Sequence, residues 1–232
     1  MGNMYEGTKT WNPFVGCEFD CIYCKPSFQA ILRVYGKCVK CKAYEPHFHE
    51  ERLLKIPNYP IIFVAGTGDL SFATYEQMMN IIRTVNKDSR KHPDRLYYYQ
   101  SKNPIIFEPF LDELNPQSIL VTTLETNRGQ GYEKVSKAIA PPERWRDFMS
   151  LDYPRKIITI EPILDFDVEP FYRNIEAVNP EKIYIGYNSK PTRVRLEEPH
   201  PNKTWQLIHM LRDMGFEVEL KTMREANART GK

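Results

Sequence analysis

The sequence has no long apolar run. Although 41% of its 232 residues are hydrophobic, no stretch reaches the roughly 18 consecutive apolar residues of a membrane-spanning helix. Residues 1–6 also lack the basic and then apolar pattern of a secretory signal peptide. We therefore expect a cytoplasmic protein with no membrane partner.

An excess of charge of one sign is also missing, and cysteines are few. The net charge is +2, so no strong overall field attracts nucleic acid. The five cysteines are an odd number, and without a secretion signal this favours metal ligation in a reducing compartment over disulfides. The hydrophobic content, with 12% aromatic residues, excludes a disordered chain.

Three of the cysteines lie in one loop at CxxxCxxC spacing. Cys17, Cys21 and Cys24 follow the run Trp-Asn-Pro-Phe-Val-Gly of residues 11–16. Iron–sulfur clusters are held by closely spaced thiolates. Three ligands hold three corners of a cubane cluster and leave the fourth iron open to a small molecule, as catalysis at a metal requires. The alternative is a structural zinc site or a redox thiol group, but zinc sites usually pair cysteines as CxxC plus a second pair.

This loop, with the aromatic Tyr23 before its third cysteine, resembles the cluster loop of the radical S-adenosylmethionine (SAM) enzymes. Residues 11–24 are similar to two branches, the spore photoproduct lyase-like enzymes and the phage Gp37/Gp68-like family. The resemblance implies a four-iron four-sulfur cluster whose open iron binds the amino and carboxylate groups of SAM. Electron transfer from a flavodoxin- or ferredoxin-like donor then cleaves SAM to methionine and a 5′-deoxyadenosyl radical, which abstracts hydrogen from a substrate.

A second cysteine pair, Cys38 and Cys41, is followed by His47 and His49. A CxxC with histidines nearby indicates zinc, although a single residue between the histidines is shorter than the usual zinc-finger spacing. The alternative is a free thiol pair, with histidines that pack against or cap the next helix.

Apolar, β-branched runs alternate with amphipathic helical patterns along the chain. This alternation predicts an α/β fold of parallel strands joined by right-handed crossovers. The resemblance favours a partial (βα)6 barrel over a doubly wound sheet. We expect one domain over residues 1–232, with a small metal-binding insertion at about 36–50. The predicted strands are 8–11, 61–65, 118–125, 156–162 and 181–186, with a short edge strand over 216–220. Residues 96–104 are predicted as a further strand that runs into the start of a helix.

Polar residues follow the carboxyl ends of these strands, where parallel α/β folds bind ligands. Lys102 lies in a Gln-Ser-Lys-Asn-Pro run similar to a segment of the photoproduct-lyase-like branch, which implies that it pairs with the SAM carboxylate. The run of residues 66–69 is similar to the glycine-rich segment after the second barrel strand of radical SAM enzymes, which implies that it contacts SAM. The SAM-binding residues that we expect are Tyr23, Gly66, Thr67, Gly68, Asp69, Ser71, Gln100, Lys102, Glu125 and Asn188. Glu161 and Glu125 are the predicted catalytic residues, with Glu161 in the substrate cavity; for both, capping of the next helix is the alternative.

The leading hypothesis is thus a radical SAM enzyme, and the branch resemblance points to a nucleic-acid base or nucleotide as substrate. The alternative is a metal-stabilised nucleic-acid-binding module without catalysis, in which both cysteine groups are structural. Its contact surface would be the basic side chains of Arg33, Lys37, Lys40 and Lys42. An electron carrier suits the pattern less well, because a cluster with three cysteines has an unfilled iron.

Overall fold

The computed structural model describes Tyr5 and residues 7–225. In chain order its strands are β1 (Thr8–Trp11), β2 (Phe14–Val15), β3 (His47–Phe48), β4 (Ile61–Val64), β5 (Leu96–Gln100), β6 (Ser118–Thr123), β7 (Lys156–Ile160), β8 (Lys182–Ile185) and β9 (Val218–Leu220). Seven of them form one parallel sheet in the order β1-β4-β5-β6-β7-β8-β9, which curls into a half-barrel. The remaining two, β2 and β3, pair as an antiparallel ribbon. The predicted partial barrel is confirmed.

The helices lie between the strands, as parallel pairing requires. They are α1 (Ala30–Tyr35), α2 (Val39–Ala43), α3 (Tyr75–Ser89), α4 (Pro141–Ser150), α5 (Val168–Val178) and α6 (Pro201–Asp213). The start of α3 illustrates how local sequence sets a boundary. Thr74 accepts a hydrogen bond from the Gln77 backbone N–H, and the Gln77 side chain accepts one from the Thr74 N–H. This capping box satisfies two amide groups that a helix start leaves unpaired.

Side chains alternate between two apolar layers along each strand. One layer packs the outer face of the sheet against the helices; Ile62, Val64 and Met78 belong to it. The other fills the concave inner face and consists of Tyr5, Phe63, Tyr98, Ile119, Val121, Ile157 and Tyr184. Burial on both faces explains why these strands read as nearly continuous apolar runs.

The predicted edge strand is confirmed, because β9 lies at the end of the sheet, where it pairs in parallel with β8. One helix differs in detail. The apolar spacing of Phe28, Ile31, Leu32 and Tyr35 predicts a helix over residues 27–35, but the chain forms a π-helical turn over Lys25–Gln29 and becomes α-helical only at Ala30. No residue of α1 is fully buried, so its apolar pattern does not join the main core.

Within the described residues, no helix combines the length and apolar character needed to cross a bilayer. The prediction about a signal peptide concerns residues 1–6, of which only Tyr5 lies in the described part.

Candidate functional site

The three cysteines of the first loop converge on one cavity at the carboxyl ends of the parallel strands. Cys17, Cys21 and Cys24 all line it, and all three are free thiols. The space between its walls is about 590 Å³, part of which is open to solvent. Its other lining residues are Tyr23, Phe28, Tyr44, Phe63, Gly66, Gly68, Asp69, Gln100, Lys102, Thr123 and Glu161.

Backbone hydrogen bonds hold the cysteine loop against the barrel. The Gly16 N–H donates to the Thr67 carbonyl at 3.2 Å, and the Ile22 N–H donates to the Val135 carbonyl at 2.9 Å. Gly68 allows this approach, because a Cβ on it would lie 2.8 Å from the Gly16 carbonyl oxygen. Gly66 and Gly68 were predicted to contact SAM, and Gly68 also makes room for the cysteine loop.

Glu125 lies at the centre of a buried charge network behind the cavity wall. Its carboxylate accepts hydrogen bonds from Tyr23 at 2.5 Å and from the guanidinium of Arg144 at 2.7 Å, and it forms a salt bridge with Lys102. Burial alone would raise the pKa of Glu125, but the charges of Lys102 and Arg144 outweigh it and lower the pKa to about 2. Glu125 is therefore ionised and holds Lys102 and Tyr23 in position.

Lys102 carries the positive charge of the cavity lining. Burial alone would lower the pKa of Lys102, yet the adjacent Glu125 charge raises it above its usual range. The ammonium group also bonds the Tyr23 hydroxyl. A charged lysine thus faces the same space as the three thiols.

Asp69 is also held by protein groups. One carboxylate oxygen accepts hydrogen bonds from the hydroxyls of Ser71 at 2.8 Å and Ser101 at 2.6 Å. The other accepts from the Lys102 backbone N–H at 2.9 Å. This aspartate ties the end of β4 to the end of β5.

Glu161 differs from these two acids. Its Oε2 is buried and has no hydrogen-bond partner among the described residues. Burial raises the pKa of Glu161. An unpartnered carboxyl oxygen in a cavity lining is a group that a ligand can satisfy.

Comparison with known proteins gives matches only among solved structures. Neither the protein-family models nor the curated proteins give a match. A mutant of spore photoproduct lyase with bound AdoMet and dinucleoside spore photoproduct has a TM-score of 0.63 at 10% sequence identity, over 93% of this chain and 76% of that one. SuiB of Streptococcus suis bound to precursor peptide SuiA has a TM-score of 0.58 at 9% identity, over 94% of this chain and 49% of that one. This chain has the fold of radical SAM enzymes.

The same fold appears in SuiB bound to S-adenosylmethionine, with a TM-score of 0.58 at 10% identity. The chain spans about half the length of SuiB, since the match covers 51% of it. At such low identity the likeness concerns the fold, and the chemistry has to be argued from the residues of this chain.

The chemistry of the cavity fits an iron–sulfur cluster with one open iron. Three soft thiol ligands come from one loop, and no fourth cysteine is among the described residues that line the cavity. The hydrogen bond between Cys21 and Cys24 lowers the pKa of Cys21 to about 6 and raises that of Cys24, and burial raises the pKa of Cys17.

Four of the expected SAM-binding residues lie outside the cavity lining, and one of them is Glu125, which bonds Lys102 and Tyr23 from behind the wall. Ser71 supports Asp69, as described above. Thr67 donates its backbone N–H to Asn12 at 3.1 Å. The Asn188 side chain donates to the Val194 carbonyl at 2.7 Å and accepts from the Lys190 N–H, which shapes its own loop. A role for these residues in SAM binding stays a prediction.

Arg144 is the main residue that the sequence analysis missed. It is fully buried on α4, and it donates to the Thr123 carbonyl and the Tyr132 hydroxyl besides Glu125. The spacing in the sequence could have revealed it, because Pro141, Arg144 and Phe148 lie on one helical face. The structure buries all three. A charged residue on an apolar face predicts a buried partner.

The second predicted metal site is also assembled. Each of four residues offers one ligand atom, and these four atoms lie within 4.8 Å of one another; the residues are Cys38, Cys41, His47 and His49. None of the four lines the cavity of the first three cysteines.

Proposed function

We propose that the protein is a radical SAM enzyme. The observation that carries this proposal is the set of three free thiols at CxxxCxxC spacing, which line one cavity at the carboxyl ends of the half-barrel strands. Support comes from the fold neighbours, because spore photoproduct lyase and SuiB have each been solved with AdoMet bound.

Cys17, Cys21 and Cys24 hold a four-iron four-sulfur cluster in this proposal. When bound, the cluster and SAM supply a 5′-deoxyadenosyl radical that abstracts hydrogen. Lys102 is placed to bind the SAM carboxylate, because Glu125 and Tyr23 fix its ammonium group at the cavity wall. One carboxyl oxygen of Glu161 has no partner among the described residues. In this proposal it accepts a hydrogen bond from SAM or the substrate, or pairs with a positively charged group of either.

Aromatic side chains keep water away from the reactive space. Tyr44, Phe28 and Phe63 line the cavity beside the thiols, and Phe63 is 4% exposed. A radical intermediate needs such a dry enclosure, because water and exposed groups would divert it.

The proposed substrate is a nucleic-acid base or nucleotide, and the proposed electron donor is flavodoxin- or ferredoxin-like. Support for the substrate comes from the resemblance to the photoproduct-lyase-like branch and from the dinucleoside bound by spore photoproduct lyase. A second cavity of about 780 Å³, including space that opens to solvent, is lined in part by Tyr132, whose hydroxyl donates to Glu125. Its lining combines the cations Arg128, Lys134 and Arg195 with the acids Asp165 and Glu197, and Arg128 already forms a salt bridge with Asp165.

The test is SAM cleavage by anaerobically purified and reconstituted protein. We expect a brown protein that, once reduced by dithionite, releases 5′-deoxyadenosine and methionine. The Cys21→Ala variant should lose both the cluster iron and SAM cleavage, because two thiolates do not retain the cubane. Cys38→Ala is the matched control and should keep the cluster iron. Colourless protein that binds only zinc, or SAM cleavage by Cys21→Ala, would contradict the proposal.

A further inference from the structure

The second cysteine group has the geometry of a closed metal site. The Cys41 sulfur lies 3.4 Å from Nε2 of His47 and 3.2 Å from Nε2 of His49. The Cys38 sulfur lies 3.3 Å from Nε2 of His47. Four ligands at zinc bond lengths of about 2.0–2.3 Å, arranged as a tetrahedron, are separated by roughly 3.3–3.8 Å. The three sulfur–nitrogen separations of 3.2, 3.3 and 3.4 Å lie at or just below the lower end of this range, and all four ligand atoms lie within 4.8 Å of one another.

The outer nitrogens of both histidines are already engaged. Nδ1 of His47 lies 2.7 Å from the Glu45 carbonyl oxygen, and Nδ1 of His49 lies 2.8 Å from a carboxylate oxygen of Glu51. Contacts of this kind fix the tautomer and leave Nε2 free to bind a metal. The Cys41 backbone N–H also donates to the Cys38 sulfur at 3.3 Å, which stabilises a thiolate there.

The backbone explains a histidine spacing that looked too short in the sequence. His47 lies in β3, and His49 follows it after one residue. In extended backbone, residues two apart project to the same side, so both rings face the cysteines. Tyr44, in the left-handed conformation with φ of 59°, ends α2 and reverses the chain toward β3.

Local packing gives this segment little stability of its own. Helix α2 has only five residues, and isolated helices of that length do not persist in water. Val39 is 84% exposed and Cys41 is the only buried residue of α2. Order in this segment therefore needs a contribution other than an apolar core.

We propose that Cys38, Cys41, His47 and His49 bind a structural Zn²⁺ ion. Two thiolates and two imidazoles are a set that zinc prefers, and all four tetrahedral positions are filled by protein, as in structural sites. The site shares no residue with the CxxxCxxC loop, so it is independent of the proposed cluster.

The zinc site holds one wall of the cofactor cavity in place. The Cys17 N–H donates to the Tyr44 carbonyl at 3.3 Å, and Tyr44 lines the cavity. Strand β3, which carries His47, pairs with β2 immediately before the cysteine loop. This consequence rests on the proposed function, whereas zinc binding itself does not.

Zinc content of a cluster-free protein tests the proposal without reference to iron. We would replace Cys17, Cys21 and Cys24 by Ala, verify folding by circular dichroism, and measure zinc by mass spectrometry. One zinc per chain is expected, and further replacement of Cys38→Ser and Cys41→Ser should remove it. His209→Ala, which changes an exposed histidine on α6, is the matched control and should keep the zinc. Absence of zinc, or zinc that survives loss of Cys38 and Cys41, would overturn the proposal.

Two further measurements use the chain with its first three cysteines intact. Added Co²⁺ should give the strong visible absorption of a tetrahedral thiolate complex in wild type and not in Cys38→Ser. Amide hydrogen exchange over residues 14–17 and 38–49 should become roughly tenfold faster when zinc is removed. Unchanged exchange over residues 14–17 would overturn the inference that the zinc site holds the cavity wall in place. Wild type that binds zinc but no iron would overturn the proposed function and leave the zinc site standing.

Discussion

At the scale of single residues, the site depends on one buried carboxylate and two cations. These three side chains lie together away from water. Glu125 and Arg144 are fully buried, and the side chain of Lys102 is 12% exposed. Loss of one partner from such a group leaves an uncompensated charge, which is more damaging than the loss of a surface ion pair. The network therefore keeps the lysine at the cavity wall only while all three members are present.

Replacing Arg144 by Ala tests this dependence. We expect the free energy of unfolding to fall by about 3 kcal/mol or more, because Glu125 loses its guanidinium partner inside the protein. The measurement is urea unfolding of the cluster-free protein. Arg146→Ala, on the same helix but 70% exposed in its side chain, should change stability by less than about 1 kcal/mol. Similar losses for the two variants would contradict the network.

Glu161 gives a pH-dependent prediction at the same scale. Its pKa is raised by burial, so its ionised form is disfavoured in the folded chain. Ionisation of Glu161 therefore lowers the free energy of unfolding. This loss is absent at pH values below the pKa that Glu161 has in the unfolded chain, and it is complete above the pKa that Glu161 has in the folded chain. Glu161→Gln cannot ionise and should be more stable than wild type at about pH 7, and equal to it at about pH 4.

Denaturant midpoints of cluster-free protein at these two pH values measure the effect. Glu143→Gln, which changes an acid that is 55% exposed on α4, is the control and should show no such difference. A Glu161→Gln variant less stable than wild type at the higher pH would show that the carboxylate has a stabilising partner.

At the scale of elements, the ribbon of β2 and β3 connects the two cysteine groups. Gly16, between β2 and Cys17, has a φ of 93°, and a Cβ on it would overlap the Glu45 carbonyl. The cysteine loop and the segment before His47 can therefore lie side by side only with glycine at this position.

Gly16→Ala should be strongly destabilising for two reasons. The positive φ is unfavourable for alanine by about 1–2 kcal/mol, and the overlap forces the ribbon apart. Gly7→Ala separates the two effects, because Gly7 has a φ of 70° but a Cβ on it would meet nothing within 4 Å. Thermal unfolding and iron content after reconstitution are the measurements. Equal losses for Gly7 and Gly16 would mean that the close approach contributes nothing.

At the scale of the whole molecule, the candidate site exists only when the half-barrel is formed. Cys17 comes from the first tenth of the chain, whereas Glu161 follows β7, and both line the same cavity. A ligand that needs all these segments binds the folded chain and not the unfolded one. Its binding free energy is therefore added to the stability of the entire fold.

SAM should accordingly stabilise cluster-loaded protein. At a hundredfold excess over its Kd the gain is about 2.7 kcal/mol, which raises the Tm of a chain of this size by roughly 5–11 °C. Anaerobic differential scanning fluorimetry measures the shift. Cys21→Ala should show little or none, because the open iron that chelates SAM is missing. An equal shift in that variant would place SAM binding elsewhere.

Much of this fold was predictable because its signals are local. Continuous apolar runs such as Ile61–Val64 and the capping box at Thr74 report strands and helix starts from neighbouring residues alone. Helix α1 was misleading, since its apolar pattern resembles a buried face although none of its residues is fully buried. Periodicity shows which residues share a face, but not whether another element covers that face.

The sequence by itself determined the spacing of the three cluster cysteines, the order of strands and helices, and the strand ends at which polar residues gather. Only the tertiary structure decided which of those polar groups already have partners. Asp69 is satisfied by Ser101 and Lys102, whereas Glu161 keeps an oxygen with no partner in the described part of the chain. The reason is physical: the partners are about 30 or more residues apart, and folding, not local preference, brings them within hydrogen-bond distance.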